Sequence, residues 1–445
     1  MCLWGEARAH DTQIFEVSPG EDWCATVNEV AMPGDIIRLA PGDYPGPCAI
    51  SRTPPEEQDE YTMVMSQDPA NPARIVHDGE SDFLITLEGD QLMLLSLEFG
   101  EVPEGMIPVE IIGTREIWLR YNRFGANAGT AVKVSGPVEG LHLLDNEFDG
   151  VALPFDLELG AGASWVDVGD NRIREAEIGV RATGEWRGWI RNNVLWDVTQ
   201  GALVEAGGSL DVRGNWIRFE QQGLDLVAAE AQIEANILHG EGQGLAIGSE
   251  ETPGTYAVLG NSLVTETEPR IRIRGFAEAV ETLLNLSLHA IDGVGNVECE
   301  TRDSCWENVD EQSYYPVRIP ESDEAASGLS LGEDFCGRPR SQTPWAGGLE
   351  AACPGDPERF EFDFKRNFQC PFADLSGDGE SCHDAEMEDT GDTGGVGDTG
   401  NGPDAGEACG CQETQRRASG PWLLVLVGAA VLRRVQLRSR STSAT

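Results

Sequence analysis

The sequence predicts an all-β chain wound as a right-handed parallel β-helix solenoid, and three observations carry the prediction. Eight asparagines, Asn122, Asn146, Asn171, Asn193, Asn215, Asn236, Asn261 and Asn285, recur at intervals of 24, 25, 22, 22, 21, 25 and 24 residues. Seven of the eight open the pattern Asn-x-apolar, as in Asn122-Arg-Phe124 and Asn215-Trp-Ile217. A second series is locked to the first: Gly129, Gly179, Gly201, Gly223 and Gly244 each follow an Asn by seven or eight residues and start a short apolar strand, with a shorter gap between Asn146 and Gly150. Alternating strands with Gly at the corners fit β-structure, and helical spacing is absent. A fixed period of this length marks a solenoid, in which no single coil can bury its apolar face alone.

About eight regular coils run from Ile117 onward. Parallel strands in neighbouring coils lie about 4.8 Å apart, so Phe124, Phe148, Ile173, Leu195, Ile217, Leu238 and Leu263 should stack as one internal column. The asparagines should form a second column, bonded amide to amide and to turn backbone. Replacing Asn215 by Ala is then expected to cost about 1–3 kcal/mol. A ligand-binding role for this column is the weaker reading, since strict periodicity is a structural demand and a ligand site is local. Earlier coils, such as Phe83–Leu87 and Leu92–Leu95, are irregular, and Leu97 holds the place of an Asn one period before Asn122.

Residues 18–48 read as an N-terminal cap. Ser18-Pro-Gly-Glu-Asp-Trp23 starts a helix over about 20–31 with Trp23, Ala25, Val27 and Val30 on its buried side. A helix there covers the open sheet edge of the first coil. Next come Pro33-Gly-Asp-Ile-Ile-Arg-Leu39 and Pro41-Gly-Asp-Tyr44. This run resembles the first coil of secreted right-handed parallel β-helix proteins of the pectate-lyase-like superfamily. Asp334-Phe-Cys-Gly337-Arg-Pro-Arg340 and Trp345-Ala-Gly-Gly348-Leu-Glu350 resemble the closing signature of such proteins, with Gly348 where Ala is usual. The resemblance spans residues 18 to roughly 351 and implies fold rather than activity, because lyases, hydrolases, epimerases and adhesins share it.

The 77 acidic and 31 basic residues give a formal charge of −46, and only Lys133 and Lys365 are lysines. Such a field repels phosphate backbones, which excludes nucleic acid as a partner; solubility at a cell surface and a saline habitat explain it equally well. No cysteine lies between Cys48 and Cys299. Even numbers at the two ends and no zinc spacing point to disulfides in an oxidising compartment. The preferred pairs are Cys24–Cys48, Cys299–Cys305, Cys336–Cys353 and Cys370–Cys382, the last three being one of fifteen connectivities.

The chain therefore divides into 1–9, a signal-peptide remnant ending in Ala7-Arg-Ala9; 10–295, the β-helix with its N-terminal cap; 296–384, a Cys-rich C-terminal cap; 385–411, an acidic Gly/Asp/Thr linker too polar to fold; and 412–445. In the last region Cys409-Gly-Cys411 and a linker precede an apolar run, Pro421 to Leu432, and an Arg cluster. That order resembles the myxobacterial MYXO-CTERM sorting signal, which implies cleavage near the cysteines, with Cys409 or Cys411 modified, and retention at the bacterial surface or outer membrane. The apolar run is too short for a permanent span. Membrane contact is expected through this segment alone.

Catalytic signatures are incomplete. Asp374, Ser376 and Asp378 match the first three ligand positions of a calcium loop, but its twelfth position is Ala385, so a solvated turn is preferred over a Ca2+ site, and no other cofactor is expected. The outward positions of the Gly-led strands read Lys133, Ala152, Arg181, Leu203, Asp225, Ala246 and Arg272. Arg181 and Asp225, two coils apart at about 10 Å, are too distant for a direct acid–base pair. His142, His239 and His289 lack a carboxylate at motif spacing, and Trp189, Trp196 and Trp216 read as packing side chains before sugar platforms. The chain is thus expected to be a secreted, surface-retained monomer that binds carbohydrate or another surface protein, or serves as a scaffold. The alternative is a calcium-assisted polysaccharide lyase with Lys133, Arg181, Asp225 and Arg272 as its candidate residues.

Overall fold

The computed structural model describes residues 12–298, apart from 53–60, 78, 80, 101, 104, 162–164, 266, 268–270, 276, 284 and 288–296. The expected disulfides from Cys299 to Cys382, Asp374, Ser376, Asp378, Cys409, Cys411, His289 and the segments 1–9, 385–411 and 412–445 lie outside the described residues.

The chain is an all-β parallel solenoid of about 10 turns. Each turn contributes a strand to three faces, and every inter-coil ladder is parallel. The first face runs from Ile14–Val17 and Ile36–Leu39 through Arg115–Arg120, Glu139–Leu144, Val166–Gly169 and Gly188–Arg191 to Ala277–Leu283. The second runs from Gly42–Pro45 through Arg123–Phe124 and Glu147–Asp149 to Val297–Glu298, and the third from Cys48–Ile50 through Asn127–Gly136, Val151–Leu159 and Ile178–Gly184 to Ile271–Ile273. In two of the three shortest coils, Val194–Arg213 and Trp216–Glu234 are continuous strands passing through all three faces.

Phe124, Phe148, Ile173, Leu195, Ile217, Leu238 and Leu263 stand in register along the second face, buried in the interior. Phe99 extends the column, its ring 4.7 Å from Phe124, which lies 4.6 Å from Phe148. Beside them the eight asparagines are 0–1 % exposed. In each internal rung one Oδ1 accepts from both the backbone N–H and the side-chain amide of the Asn before it, and one Nδ2 also donates to a strand carbonyl of the preceding coil. For Asn146 these are the bond to Asn171 Oδ1 at 3.1 Å and the bond to Leu119 O at 2.9 Å. Leu97 closes the ladder by donating its own N–H to Asn122 Oδ1 at 3.0 Å. The residue before each rung from Asn122 to Asn261 takes a left-handed conformation, among them Tyr121, Asp145, Asp170, Asn192 and Ala235 at φ 55–58°. That bend turns the chain from the first face into the second, and its small energetic cost is repeated coil after coil.

The N-terminal cap is shorter than expected. Asp22 caps an α-turn over Trp23–Ala25, which widens into a π-turn over Thr26–Val30. Because Ala31 N–H reaches back five residues to Thr26 O, the buried positions fall at Trp23, Val27 and Ala31, while Val30 is 54 % exposed. Trp23 Nε1 donates to Pro45 O at 3.0 Å, and the Cys24–Cys48 disulfide ties the cap to the first strand of the third face.

Candidate functional site

The outward side of the first face carries the richest chemistry among the described residues. Strand alternation sends every second side chain outward, and the register aligns two outward columns. One reads Trp118, His142, Asp167, Trp189, Asp211 and Gln232; the other reads Arg120, Leu144, Gly169, Arg191, Arg213 and Glu234. The left-handed corner residues Asp145 and Asp170 border the second column.

The aromatic rings are held on edge and in stacks. Trp118 and His142 stack at 4.0 Å, and Trp189 meets Trp165 edge-on at 4.5 Å. The arginines are clamped by aspartates from neighbouring coils. Arg191 donates to both oxygens of Asp167 at 3.0 and 2.8 Å and to Asp170 at 3.2 Å, and Arg120 donates to Asp145 at 2.6 Å. Burial pushes the Asp145 carboxyl up to about 6, against the pull of Arg120 and with the help of Asp170. Burial does the same to Asp211, also up to about 6, opposed by Arg213 and aided by Glu234. Asp211 Oδ1 accepts no hydrogen bond. Two proton-binding carboxyls that titrate near neutrality are thus embedded in this face.

At one end of the aromatic column Tyr61 donates to Glu116 Oε2 at 3.0 Å, and the same oxygen lies 3.8 Å from His142 Nε2. The nearby His142 ring, and then the Tyr61 hydroxyl, hold Glu116 below the usual carboxylate range. Glu116 occupies φ 54°, and Gly140 in the next coil leaves room for its carboxylate where any Cβ would collide with it. His142 therefore does have a carboxylate partner. It comes from the preceding coil, 26 residues away by number, where no motif spacing within one strand reveals it.

The third face holds the four residues singled out from sequence, in a different grouping. Its outward column reads Lys133, Asp156, Arg181, Leu203, Asp225, Ala246 and Arg272. Asp156 stands where Ala152 was expected, because the strand after Asn146 starts early and runs for nine residues, Val151–Leu159. Arg181 is clamped by Asp156 at 2.8 and 2.6 Å. Asp225 is paired with Arg274 and leaves Arg272 exposed. The four candidates share a column without converging on one point. No group of three or more His, Cys, Asp or Glu side chains among the described residues is placed to hold a metal ion.

Of the tryptophans, Trp189 lies on the first face, half-buried, while Trp216 is wholly buried against Trp196 at 4.9 Å on the second. His239 stands beside Arg218 in the second-face ladder. The first-face aspartates and arginines escaped the sequence reading. Part of their signal was present at one and two positions before several of the asparagines, as in Arg120-Tyr-Asn122, Asp145-Asn146, Asp170-Asn171 and Arg191-Asn-Asn193.

No family model and no curated protein matches the chain. Solved structures similar to it include pectate lyase Pel9A, at 12% identity over 77% of this chain and 97% of that one, TM-score 0.38. A PL6 family alginate lyase, AlyGC, matches at 13% identity over 78% of this chain and 59% of its own length, TM-score 0.37. A pectate lyase from Bacillus sp. N165, solved in complex with trigalacturonate, matches at 10% identity over 71% of this chain and 90% of that one, TM-score 0.33. What they share is the parallel β-helix. At such identities the likeness concerns the winding of the chain and says nothing about its chemistry.

Proposed function

We propose that the first face binds a carbohydrate chain laid along the solenoid axis. The observation that supports this reading is the outward row of half-buried rings at Trp118, His142 and Trp189 beside the arginine column. Flat rings pack against the apolar faces of sugars, and a few oriented polar groups fix their hydroxyls. Arg191 spends three of its five N–H groups on Asp167 and Asp170, so two remain for a ligand. Because the carboxylates already neutralise the guanidinium groups, the face suits neutral sugars as well as acidic ones. Calorimetric titration of the full chain against a panel of neutral and acidic polysaccharides tests this. Trp189→Ala is expected to weaken the best ligand about tenfold, equal to about 1.4 kcal/mol. A panel in which nothing binds the wild-type chain overturns the reading.

One observation favours a second reading, β-elimination on a uronate glycan: the Tyr61–Glu116–His142 cluster at the end of the aromatic row. There His142, oriented by Glu116, takes the proton alpha to the uronate carboxyl, the C–O bond to the leaving sugar breaks as a C=C bond forms, and Tyr61 protonates the leaving oxygen. The ultraviolet absorbance of unsaturated uronate products distinguishes the two. Turnover that is lost in His142→Gln while binding persists supports elimination, and binding with no absorbance change leaves the chain a binding module.

A further inference from the structure

Arg191 and Arg213 are register neighbours in one outward column of the first face, yet only Arg191 is clamped. Arg191 reaches one coil back to Asp167 in the adjacent column and to Asp170 at the corner. One coil on, the place of Asp167 is taken by Trp189 and the place of Asp170 by Asn192. Arg120 takes its partner, Asp145, from the corner of the following coil, and for Arg213 that corner is Ala235. The positions that clamp the other two arginines are thus filled around Arg213 by a ring, an amide and a methyl group. Among the described residues the Arg213 guanidinium accordingly makes no hydrogen bond, and its ion-pair contact is Asp211 Oδ2 at 3.8 Å. The Arg213 side chain is 46% exposed, and its guanidinium carbon lies 5.8 Å from the centre of the half-buried Trp189 ring. Asp211 is equally unengaged: its carboxyl accepts no hydrogen bond from the described residues, and of its two oxygens Oδ1 is out of solvent, which leaves Oδ2 to meet a ligand. Five N–H donors, a carboxylate oxygen and an aromatic ring therefore share one spot with their hydrogen-bonding capacity unused.

We infer that Trp189, Asp211 and Arg213 form the anchoring subsite of the first face and that this subsite takes a neutral sugar through two adjacent hydroxyls, a role that rests on the first face being a carbohydrate site. The Trp189 ring packs against the apolar side of the sugar. One hydroxyl accepts from Arg213, and its neighbour donates to Asp211 Oδ2, giving the carboxylate the charge-assisted bond it lacks. The local charge balance selects against an acidic sugar. Asp167 and Asp170 are engaged by Arg191. Arg213 then stands between Asp211 on its own strand and Glu234, its register partner in the next coil, two carboxylates against one guanidinium. A ligand carboxylate would meet that excess within a chain of formal charge −46. A neutral hydroxyl pair meets no such penalty and matches one donor with one acceptor.

The test titrates the full chain calorimetrically, at low and at high salt, with cellohexaose and mannohexaose as neutral probes and hexagalacturonate as the acidic one. The better neutral probe should bind with an affinity that changes by less than about twofold between the two salt concentrations, since no ligand charge is there to be screened. Arg213→Gln and Asp211→Asn should each weaken it at least about tenfold, and Arg181→Gln on the third face should leave it within about twofold of wild type. Asp211→Asn relieves a buried charge and should melt no lower than wild type, so its weaker binding is not a folding defect; a purely structural role for Asp211 would lower both together. Tighter binding of hexagalacturonate than of both neutral probes overturns the inference. So does a neutral probe weakened by Trp189→Ala but by neither Arg213→Gln nor Asp211→Asn; in both cases the face still binds carbohydrate. A wild-type chain that binds none of the probes overturns the carbohydrate reading itself, and the subsite with it.

Discussion

Replacing Asn215 by Ala tests the internal ladder most sharply, because every bond it removes is identified. The Asn215 side chain donates to Ile190 O at 2.8 Å, to Arg213 O at 3.2 Å and to Asn236 Oδ1 at 2.9 Å. It also accepts from Asn193 N at 3.0 Å and from Asn193 Nδ2 at 2.9 Å. The backbone N–H of residue 215 keeps its bond to Asn236 Oδ1. Truncation therefore strands two buried donors, the Asn193 N–H and one Asn193 amide proton, in a space that is 0 % exposed, and takes one donor from the Ile190 carbonyl. At about 1–3 kcal/mol for each stranded donor, the loss is about 2–6 kcal/mol, above what counting a single lost bond suggests. In a solenoid, stability is a sum of coil and nearest-neighbour terms, so the loss should appear as early melting around coils 194–234. Urea unfolding followed by circular dichroism gives the total, and hydrogen exchange gives its location. A loss below about 1 kcal/mol, or one spread evenly along the chain, would refute the reasoning.

Asp211, with its carboxyl raised to about 6, binds its proton more tightly folded than unfolded, where the pKa is about 3.9. Its ionisation therefore costs stability as pH rises from about 4 through 6, and the cost is complete above that. Asp211→Asn should then be more stable than wild type by about 3 kcal/mol at pH 8 and little different at pH 4; equal melting temperatures at both pH values would contradict it. Removing the Cys24–Cys48 bridge, which closes a separation of 24 residues, as the double Ala variant should cost about 3 kcal/mol, read as faster hydrogen exchange confined to residues 14–50. Arg181→Gln breaks an ion pair whose arginine is 39% exposed and should change stability by under about 1 kcal/mol. It should leave glycan binding untouched, and a loss of binding would move the site to the third face.

The winding of the chain was legible because its cause is periodic. Each coil needs one inward Asn and one inward apolar residue two places on, and both recur with the coil. Outward chemistry was legible only in part. The position after each Asn passes from Arg123, Glu147 and Arg172 to Val194, Trp216 and Ile237, a change visible in the sequence once it is known to mark one column. The pairing of Glu116 with His142, and of Asp167 with Arg191, was not legible, since it joins residues one coil apart and depends on coil length. The slip from Ala152 to Asp156 has the same origin: a corner shortened by four residues moves every outward assignment in that strand. Val30 was misplaced because a π-turn, which leaves no sequence mark of its own, replaced the expected α-spacing.

The three faces then divide the work in a way that constrains where a ligand can act. On the third face, Asp156 pairs with Arg181 and Asp225 with Arg274, and no aromatic ring stands in its outward column of Lys133, Asp156, Arg181, Leu203, Asp225, Ala246 and Arg272. On the second, the apolar stretch from Val194 to Val264 is already out of solvent. Among the described residues the first face combines half-buried rings, a carboxyl oxygen without a bond and two carboxyls that change charge near pH 6. Buried carboxyls kept at that cost do little for the fold, since a stacked apolar column such as Met65 and Leu95, earlier on the same face, covers a strand equally well. The retention of acids and rings in the middle coils, where the same face could have continued in Met and Leu, is what points to a ligand meeting the solenoid there.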